Sequence, residues 1–136
     1  MCYLAKIAPN QIKNHTLAKG LSPQFSTEEE WELAAGHMPK GADFNYGISD
    51  AIRPVDAFAQ TKGASGGIDF WGNCWEWTST KRNGKNVVKG GAYDSKRTDC
   101  RTEAKNTAKA ASNGYPNVTI RLVRENRNAN QQGDDN

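Results

Sequence analysis

The chain has 136 residues, 36% of them hydrophobic, and a formal net charge of +3. This length fits one domain with a modest core. No segment reaches the roughly 18 consecutive apolar residues that a membrane span needs. The N-terminal "MCYLAKIAPNQ" also lacks the long apolar segment of a secretory signal, so we expect neither membrane insertion nor export.

The positive charge is concentrated in the C-terminal part of the chain. Residues 1–79 contain six Lys or Arg and nine Asp or Glu, whereas residues 80–136 contain twelve and six. A basic half can attract acidic ligands, nucleic acid included. Because no aromatic-rich nucleic-acid motif accompanies the charge, we interpret it as a solvated surface and do not expect nucleic acid as the partner.

Three cysteines, Cys2, Cys74 and Cys100, are widely spaced and form no CxxC pair. This pattern indicates neither a disulfide framework nor a zinc site. We therefore expect Cys74 and Cys100 to be small, buried apolar residues.

The first predicted element is a strand at residues 1–8, "MCYLAKIA", which is short, apolar and followed by Pro9. Residues 118–125, "VTIRLVRE", have the same character at the other end of the chain. A lone strand at either end would expose an unpaired edge. We therefore predict that the two segments pair antiparallel.

The segment "STEEEWELAAG" predicts the clearest helix. Thr27 is its expected N-cap, Glu30 completes a capping box, and Gly36 ends the helix. Acidic residues in the first turn complement the positive end of the helix dipole. Trp31 and Ala35 lie on one face at helical spacing and should pack inward, so we interpret this helix as structural.

Residues 37–74 contain Gly, Pro, Asn and Asp at close intervals with little periodicity, which predicts a long loop region. Strand patterns follow at residues 74–80, 86–93 and 118–125. The polar tail, residues 126–136, should be disordered. The folded domain is thus predicted to span residues 1–125.

The stretch "GIDFWGNCWEWTST", residues 67–80, gathers three of the four tryptophans around a polar turn. Strand alternation places Trp75 and Trp77 on one face and Glu76 on the other, toward the turn that contains Asp69. Carboxylate and carbonyl oxygens are the ligands that calcium selects. The alternative is that Asp69 caps the turn and Glu76 pairs with a lysine, and spacing alone favours neither.

Five segments resemble, in order and spacing, the motifs of the formylglycine-generating enzyme (sulfatase-modifying factor) family: "FSTEEEWELAAG", "RPVDAF", "DFWGNCWEWTS", "VVKGGAY" and "IRLVRE". The similarity covers about residues 24 to 123, and five ordered motifs are more specific together than any one alone. The resemblance implies an α+β fold of the irregular, loop-rich, C-type-lectin-like kind, with paired N- and C-terminal strands.

The same resemblance implies a structural calcium site. Carried over by position, its ligands are two side chains and two backbone carbonyls, those of Asp69 and Glu76 and of Gly72 and Cys74. A second calcium site of the family falls on a loop that is shorter here, near Asn45, Tyr46 and Asp50.

The catalytic residues of the family are only partly present in this sequence. Its sulfatase-activating members hold copper with two cysteines, five positions apart, just after a Gly-Gly-Ser motif, and oxidise a substrate cysteine. Here Cys100 matches the second cysteine, but Ser95 replaces the first and Ala92 replaces the serine of the motif. A single thiolate cannot form a two-sulfur copper site, so we expect no copper and no oxidase activity. In the alternative, an oxidase-type or degenerate enzyme acting on a substrate cysteine, Cys100 would be catalytic.

The resemblance also includes small non-catalytic relatives, the variable proteins of diversity-generating retroelements in phages and bacteria. They display diversified side chains after the Gly-Gly motif, which corresponds here to residues 92–117. This segment mixes polar, charged and aromatic residues without apolar periodicity, as an adaptable recognition surface does, although a solvated loop would read the same way.

The function implied is a ligand-binding module in the cytoplasm or on a phage particle. Its partner would be a protein or other macromolecule, with an acidic surface or a cell-surface receptor as candidates. We predict that the binding residues lie together on one exposed face, above a core formed by the strand tryptophans: Tyr93, Asp94, Ser95, Arg97, Lys105, Asn106 and Tyr115.

Overall fold

The structure is a computed structural model that describes residues 2–7, 24–47, 51–105 and 107–124. The described elements are six strands, one α-helix and one 3-10 helix. In chain order they are β1 (Cys2–Ile7), β2 (Gln24–Phe25), α1 (Glu28–Ala35), β3 (Trp75–Arg82), β4 (Lys85–Lys89), the 3-10 helix (Arg97–Cys100), β5 (Ala108–Lys109) and β6 (Val118–Arg124). The predicted tail, residues 126–136, lies outside the described residues.

The strands form one mixed sheet in the order β1-β6-β3-β4-β5, and β2 pairs antiparallel with β6 as well. β1 pairs antiparallel with β6, as predicted for the two ends of the chain. β6 in turn runs parallel to β3, with Trp75 opposite Val118. The C-terminal strand therefore joins the N-terminal strand to the tryptophan-rich strand, and the α+β class is confirmed.

Helix α1 has the predicted ends. The Thr27 hydroxyl accepts the Glu30 N–H at 3.1 Å, and the Glu30 carboxylate accepts the Thr27 N–H at 3.0 Å, which completes the capping box. Gly36 follows at φ +67°, a left-handed value that stops the helix. Trp31 and Ala35 are buried as expected. At eight residues, α1 is too short to cross a bilayer, and the described part of the chain has no other helix that could.

Strands β3 and β4 form a hairpin whose turn residues, Asn83 and Gly84, both have positive φ. An Asn-Gly pair in this conformation matches the twist of the two strands. β4 ends at Lys89, four residues earlier than the predicted segment 86–93, because Gly90 and Gly91 turn the backbone out of the strand at φ +95° and +72°. The two-residue strands β2 and β5 were not predicted.

Two apolar clusters form the core. The first surrounds Trp31 and contains Phe70 and Trp71 from the turn before β3. The second contains Trp75, with Trp77 packed at its edge. The three clustered tryptophans are thus divided between the clusters, because alternation along β3 directs Trp75 and Trp77 away from Glu76.

The face of the sheet toward the first cluster carries several buried polar residues. Five side chains there are at most 2% exposed: Glu76, Thr78, Lys89, Thr119 and Arg121. The cations lie over aromatic rings, with Lys89 Nζ 5.7 Å from the Trp31 centroid and Arg121 Cζ 4.0 Å from the Phe70 centroid. A layer of charge over aromatic faces therefore connects the sheet to the first cluster.

Candidate functional site

The turn before β3 is held by a buried ion pair. Arg121 of β6 donates from Nε to Glu76 Oε1 at 2.6 Å and approaches Oε2 from Nη2 at 3.3 Å. The same Nη2 donates to the carbonyls of Ile68 and Asp69, both at 2.9 Å. Glu76 does face the turn, as predicted, and the partner that the structure describes for it is an arginine.

Asn73 joins this turn to the preceding loops. Its side-chain oxygen accepts N–H groups from Asn45 and Arg53, and its amide donates to the Arg53 carbonyl and to Asp69 Oδ2 at 3.0 Å. The Asn73 backbone N–H also donates to Asn45 O at 2.8 Å. Because these bonds use the whole amide, the long loop region is held to the turn by one buried side chain.

Of the four predicted calcium ligands, Asp69, Gly72 and Cys74 lie in this turn and Glu76 follows in β3. Arg121 engages Glu76, Asn73 engages Asp69, and the Gly72 carbonyl accepts the Cys74 N–H at 2.8 Å. A carboxylate has lone pairs for more than one partner. The residue types therefore still include the carboxylate and carbonyl oxygens that calcium selects.

No group of three or more His, Cys, Asp or Glu side chains that could hold a metal occurs within the described ranges. Of the second calcium site, Asn45 and Tyr46 belong to the loop that packs on the turn. Asp50 lies outside the described residues. Asn45 is buried and donates to Ala51 O at 2.9 Å, which closes that loop.

The Gly-Gly motif packs against Cys100. Gly91 lies so close to the Cys100 side chain that a Cβ at position 91 would overlap its sulfur. Cys100 has no exposed surface, belongs to the first apolar cluster, and its Sγ lies 3.4 Å from Lys96 O. Cys74 is buried as well, so both thiols occupy the interior as the sequence predicts.

Ser95 closes a small turn after the motif. Its hydroxyl accepts the Ala92 N–H at 2.9 Å, and its own N–H donates to Ala92 O at 3.0 Å. Ala92 is fully buried in the second cluster. The two residues that depart from the family pattern are therefore built into the local packing.

The segment from Tyr93 to Arg97 reaches the surface. Asp94 is exposed and accepts a hydrogen bond from Asn117, at 3.2 Å, whereas Tyr93 and Arg97 are half-buried. The Tyr93 N–H donates to Asn73 O at 2.9 Å, which attaches the segment to the turn before β3. Arg97 lies over the rings of Phe44 and Tyr46, at 4.7 and 5.2 Å from their centroids.

Tyr115 and Lys105 occupy other positions. Tyr115 packs on Trp77 with ring centroids 6.0 Å apart and carries Lys109 Nζ over its face at 4.7 Å. Lys105 instead reaches Glu32 of α1, at 3.1 Å. Contacts through Asn117 connect the Tyr93–Arg97 segment to the Tyr115 side, while Lys105 belongs to the helix side. Asn106 lies outside the described residues.

Lys105 is part of a charged network on α1. Glu32 also accepts from the buried Lys89 at 3.0 Å, and Lys89 bonds the carbonyls of Thr102 and Ala104. Burial alone would raise the pKa of Glu32, but hydrogen bonds from both lysines outweigh it and lower that pKa. The hydrogen bond that Lys105 donates to Glu32 correspondingly raises the pKa of Lys105. The network fixes the segment after Cys100 to the helix.

The sequence analysis did not identify Phe44 or Arg121 as site residues, and it did not predict that Lys89 is buried. Arg121 stands at the arginine of the family's Gly-Phe-Arg motif, and that correspondence could have indicated it. Phe44 is more than 50 positions from Arg97, and no sequence pattern connects a loop phenylalanine to a distant arginine. The contact between them depends on the packing of the two loops, where Gly47 approaches the Ser95 carbonyl.

Comparison with known proteins agrees with this architecture. PvdO from Pseudomonas aeruginosa is similar with a TM-score of 0.65 and 20% identity, over 90% of this chain and 61% of that one. CarF is similar with a TM-score of 0.59 and 20% identity, over 76% of this chain and 48% of that one. The chain thus spans less than two thirds of either structure, and at this identity the likeness shows the fold alone. No protein of curated function matches in sequence.

The family assignment comes from the sequence match. The family of sulfatase-modifying factor enzyme 1-like domains matches residues 42–126, more than half of the chain. This range contains the turn before β3, the Gly-Gly motif and the Arg121 strand. The described sheet and helix agree with the fold of the two solved structures. The chain belongs to the sulfatase-modifying factor enzyme 1-like, or formylglycine-generating enzyme, domain family.

Proposed function

We propose that the chain is a non-catalytic recognition module that binds a macromolecular partner through the segment after its Gly-Gly motif. The observation that carries the proposal is a division within that segment. Cys100 and Ala92 are fully buried, whereas Asp94 is exposed and Tyr93 and Arg97 reach the surface. A buried scaffold that supports exposed polar and aromatic side chains is the arrangement of a binding surface.

The burial of Cys100 argues against oxidase chemistry. A copper-binding thiolate must be reached by the metal and by substrate, yet Cys100 packs beneath Gly91 with no exposed surface. Ser95 offers a hydroxyl where the family pattern has a thiol, and that hydroxyl accepts a backbone N–H. Incubation of a sulfatase-motif peptide with the protein, copper and a reductant should give no formylglycine by mass spectrometry. Copper-dependent conversion above background would restore Cys100 to a catalytic role.

The residue types on the surface support recognition of a protein. Tyrosine and arginine dominate binding hot spots, and serine adapts its hydrogen bonds to different partners. We propose a retroelement-diversified variable protein of phage or bacterial origin, whose partner is an acidic protein surface or a cell-surface receptor. The resemblance to such variable proteins supports that origin, and the exposed loop after the Gly-Gly pair supports the mode of binding.

The test uses binders selected from a random peptide library displayed against the folded domain. Dissociation constants are then measured for Tyr93→Ala, Arg97→Ala and Tyr115→Ala, with Lys85→Ala in the exposed hairpin as control. Loss of a hot-spot side chain costs about 2 kcal/mol, or about thirtyfold in Kd. We expect that loss for the three surface variants, an unchanged control, and melting temperatures close to wild type. Variants that unfold, or that bind like wild type, would refute the proposal.

A further inference from the structure

Arg97 is seated on two aromatic rings contributed by another loop. Its Cζ lies 4.7 Å from the Phe44 centroid and 5.2 Å from that of Tyr46, and the two rings are 4.8 Å apart. Phe44 is 7% exposed and belongs to the first apolar cluster, so the core fixes one of the two rings. A guanidinium held over ring faces loses less conformational freedom when it binds than a mobile one does.

Arg97 also differs from Arg82 and Arg121 in its partners. Arg82 donates to Glu28 at 2.9 Å and Arg121 donates to Glu76 at 2.6 Å, so both guanidinium groups are paired with carboxylates. Within the part of the chain that the structure describes, Arg97 has ring contacts and no carboxylate or carbonyl acceptor. Its planar N–H fork matches a carboxylate in two parallel hydrogen bonds.

We propose that Arg97, positioned by Phe44 and Tyr46, binds a carboxylate group presented by an aspartate or glutamate of a protein partner. This inference rests on the proposed function and names the chemistry that the surface recognises. Ring contacts engage the face of a guanidinium and leave its N–H edge to a planar anion. The two rings are positioning residues, since they act through Arg97.

The charges around Arg97 favour a single carboxylate over a polyanion. Lys96 and Arg101 are exposed on the same segment, but so are Asp94 and Asp99. A phosphate backbone would bring negative charge along its whole length and meet these two carboxylates, whereas nucleic-acid sites are strongly basic. One acidic side chain brings a single negative charge to Arg97 and so meets less repulsion from Asp94 and Asp99 than a polyanion does. An acidic position in a protein segment is therefore the partner chemistry.

The experiment is a double-mutant cycle on peptides selected from a random display library. Each selected peptide is paired with copies in which one Asp or Glu becomes Asn or Gln, and both are titrated against wild type and Arg97→Leu. We expect amide exchange at one position to weaken binding to wild type about tenfold or more, and to change binding to Arg97→Leu less than threefold. Arg97→Lys should lose most of the affinity, because a lysine cannot form the bidentate pair. Tyr46→Leu should weaken binding and keep the coupling.

Two outcomes would overturn the inference. Amide exchange that weakens wild type and Arg97→Leu equally would mean that Arg97 does not meet the carboxylate. Tighter binding of single-stranded oligothymidylate than of any selected peptide, lost in Arg97→Leu, would mean that the surface takes a polyphosphate. In either case Tyr93→Ala and Tyr115→Ala distinguish the failure of this inference from the failure of the proposed function. If these variants no longer bind the selected peptides, the recognition surface stands and only the carboxylate contact of Arg97 is wrong. If they bind the peptides like wild type, the proposed function fails as well.

Discussion

Single residues decide how the turn before β3 is held. Arg121 bonds Glu76 from β3 and two carbonyls of the turn, while its guanidinium lies 4.0 Å from the Phe70 centroid. Both members of the ion pair are at most 2% exposed. Burial removes both charges from water, and only their mutual contact and the added hydrogen bonds offset that cost. The pair should therefore be intolerant of change at one member alone.

A double-mutant cycle tests this pair. Glu76→Gln and Arg121→Met should each lower the free energy of unfolding by about 3–5 kcal/mol, because each leaves a buried group without its charged partner. Glu76→Leu combined with Arg121→Met removes both charges and should cost less than the sum. Urea denaturation measures the three values, with exposed Arg101→Met as control. Single variants within about 0.5 kcal/mol of wild type would show that the pair is not structural.

Calcium binding at the same turn, by Asp69, Gly72, Cys74 and Glu76, stays a proposal. Two carboxylates and two backbone carbonyls at this turn, the ligand types that calcium selects, support it. Chelation should lower the melting temperature, and added calcium, but not magnesium, should restore it. Asp69→Asn should remove the response. An unchanged melting temperature with no metal in elemental analysis would mean that no calcium binds at this turn.

At the scale of elements, α1 is joined to the sheet through charge as well as through Trp31. Its first turn donates the Glu28 N–H to Thr80 of β3, at 2.9 Å. Glu32 binds the buried Lys89 of β4 and the exposed Lys105, at 3.0 and 3.1 Å. The helix, β4 and the segment after Cys100 thus meet at the Glu32 carboxylate.

This network predicts a pH dependence. The pKa of Glu32 lies below its ordinary 4.5, so its contribution to stability is fully present above that pH and is lost as the pH falls through the lowered value. Glu32→Gln should lower the free energy of unfolding at pH 7 by about 1.5–3 kcal/mol, the value of hydrogen bonds to charged groups. Glu29→Gln, exposed on the same helix, is the control.

Urea denaturation between pH 7 and pH 3 measures the difference between Glu32→Gln and wild type. The difference should narrow below pH 4.5 and approach zero under acid conditions, while Glu29→Gln stays near wild type throughout. If the difference in the free energy of unfolding stays constant with pH, the packing of the Glu32 side chain, and not its charge, stabilises the network.

The elements that were predictable from sequence are those with local signals. The capping box of α1, the alternation around Glu76 and the apolar character of β6 are contained within a few neighbouring residues. β2 and β5 have two residues each, too few to show a period, and exist because long strands offer them an edge. The end of β4 is set by the positive φ of two glycines, which a strand pattern does not show.

For the whole molecule, the fold follows from ordered motifs, while the site depends on contacts between distant loops. The seat of Arg97 on Phe44 and Tyr46 forms only when residues 44–47 pack beside Ser95. Arg121 was visible as a motif position, but its pairing with Glu76 needs the parallel contact of β3 and β6. Sequence therefore indicated which segment is exposed more reliably than which side chains meet there.

The most direct test of the recognition surface is to sequence many sibling copies of the gene from related loci. Substitutions should concentrate at the exposed or half-exposed positions after the Gly-Gly motif, such as Tyr93, Asp94 and Arg97, because a binding surface varies where it meets its partner. Ala92 and Cys100, both fully buried in the same segment, should stay constant. Substitutions spread evenly along the chain, or concentrated in α1 and residues 71–79, would contradict a diversified recognition module.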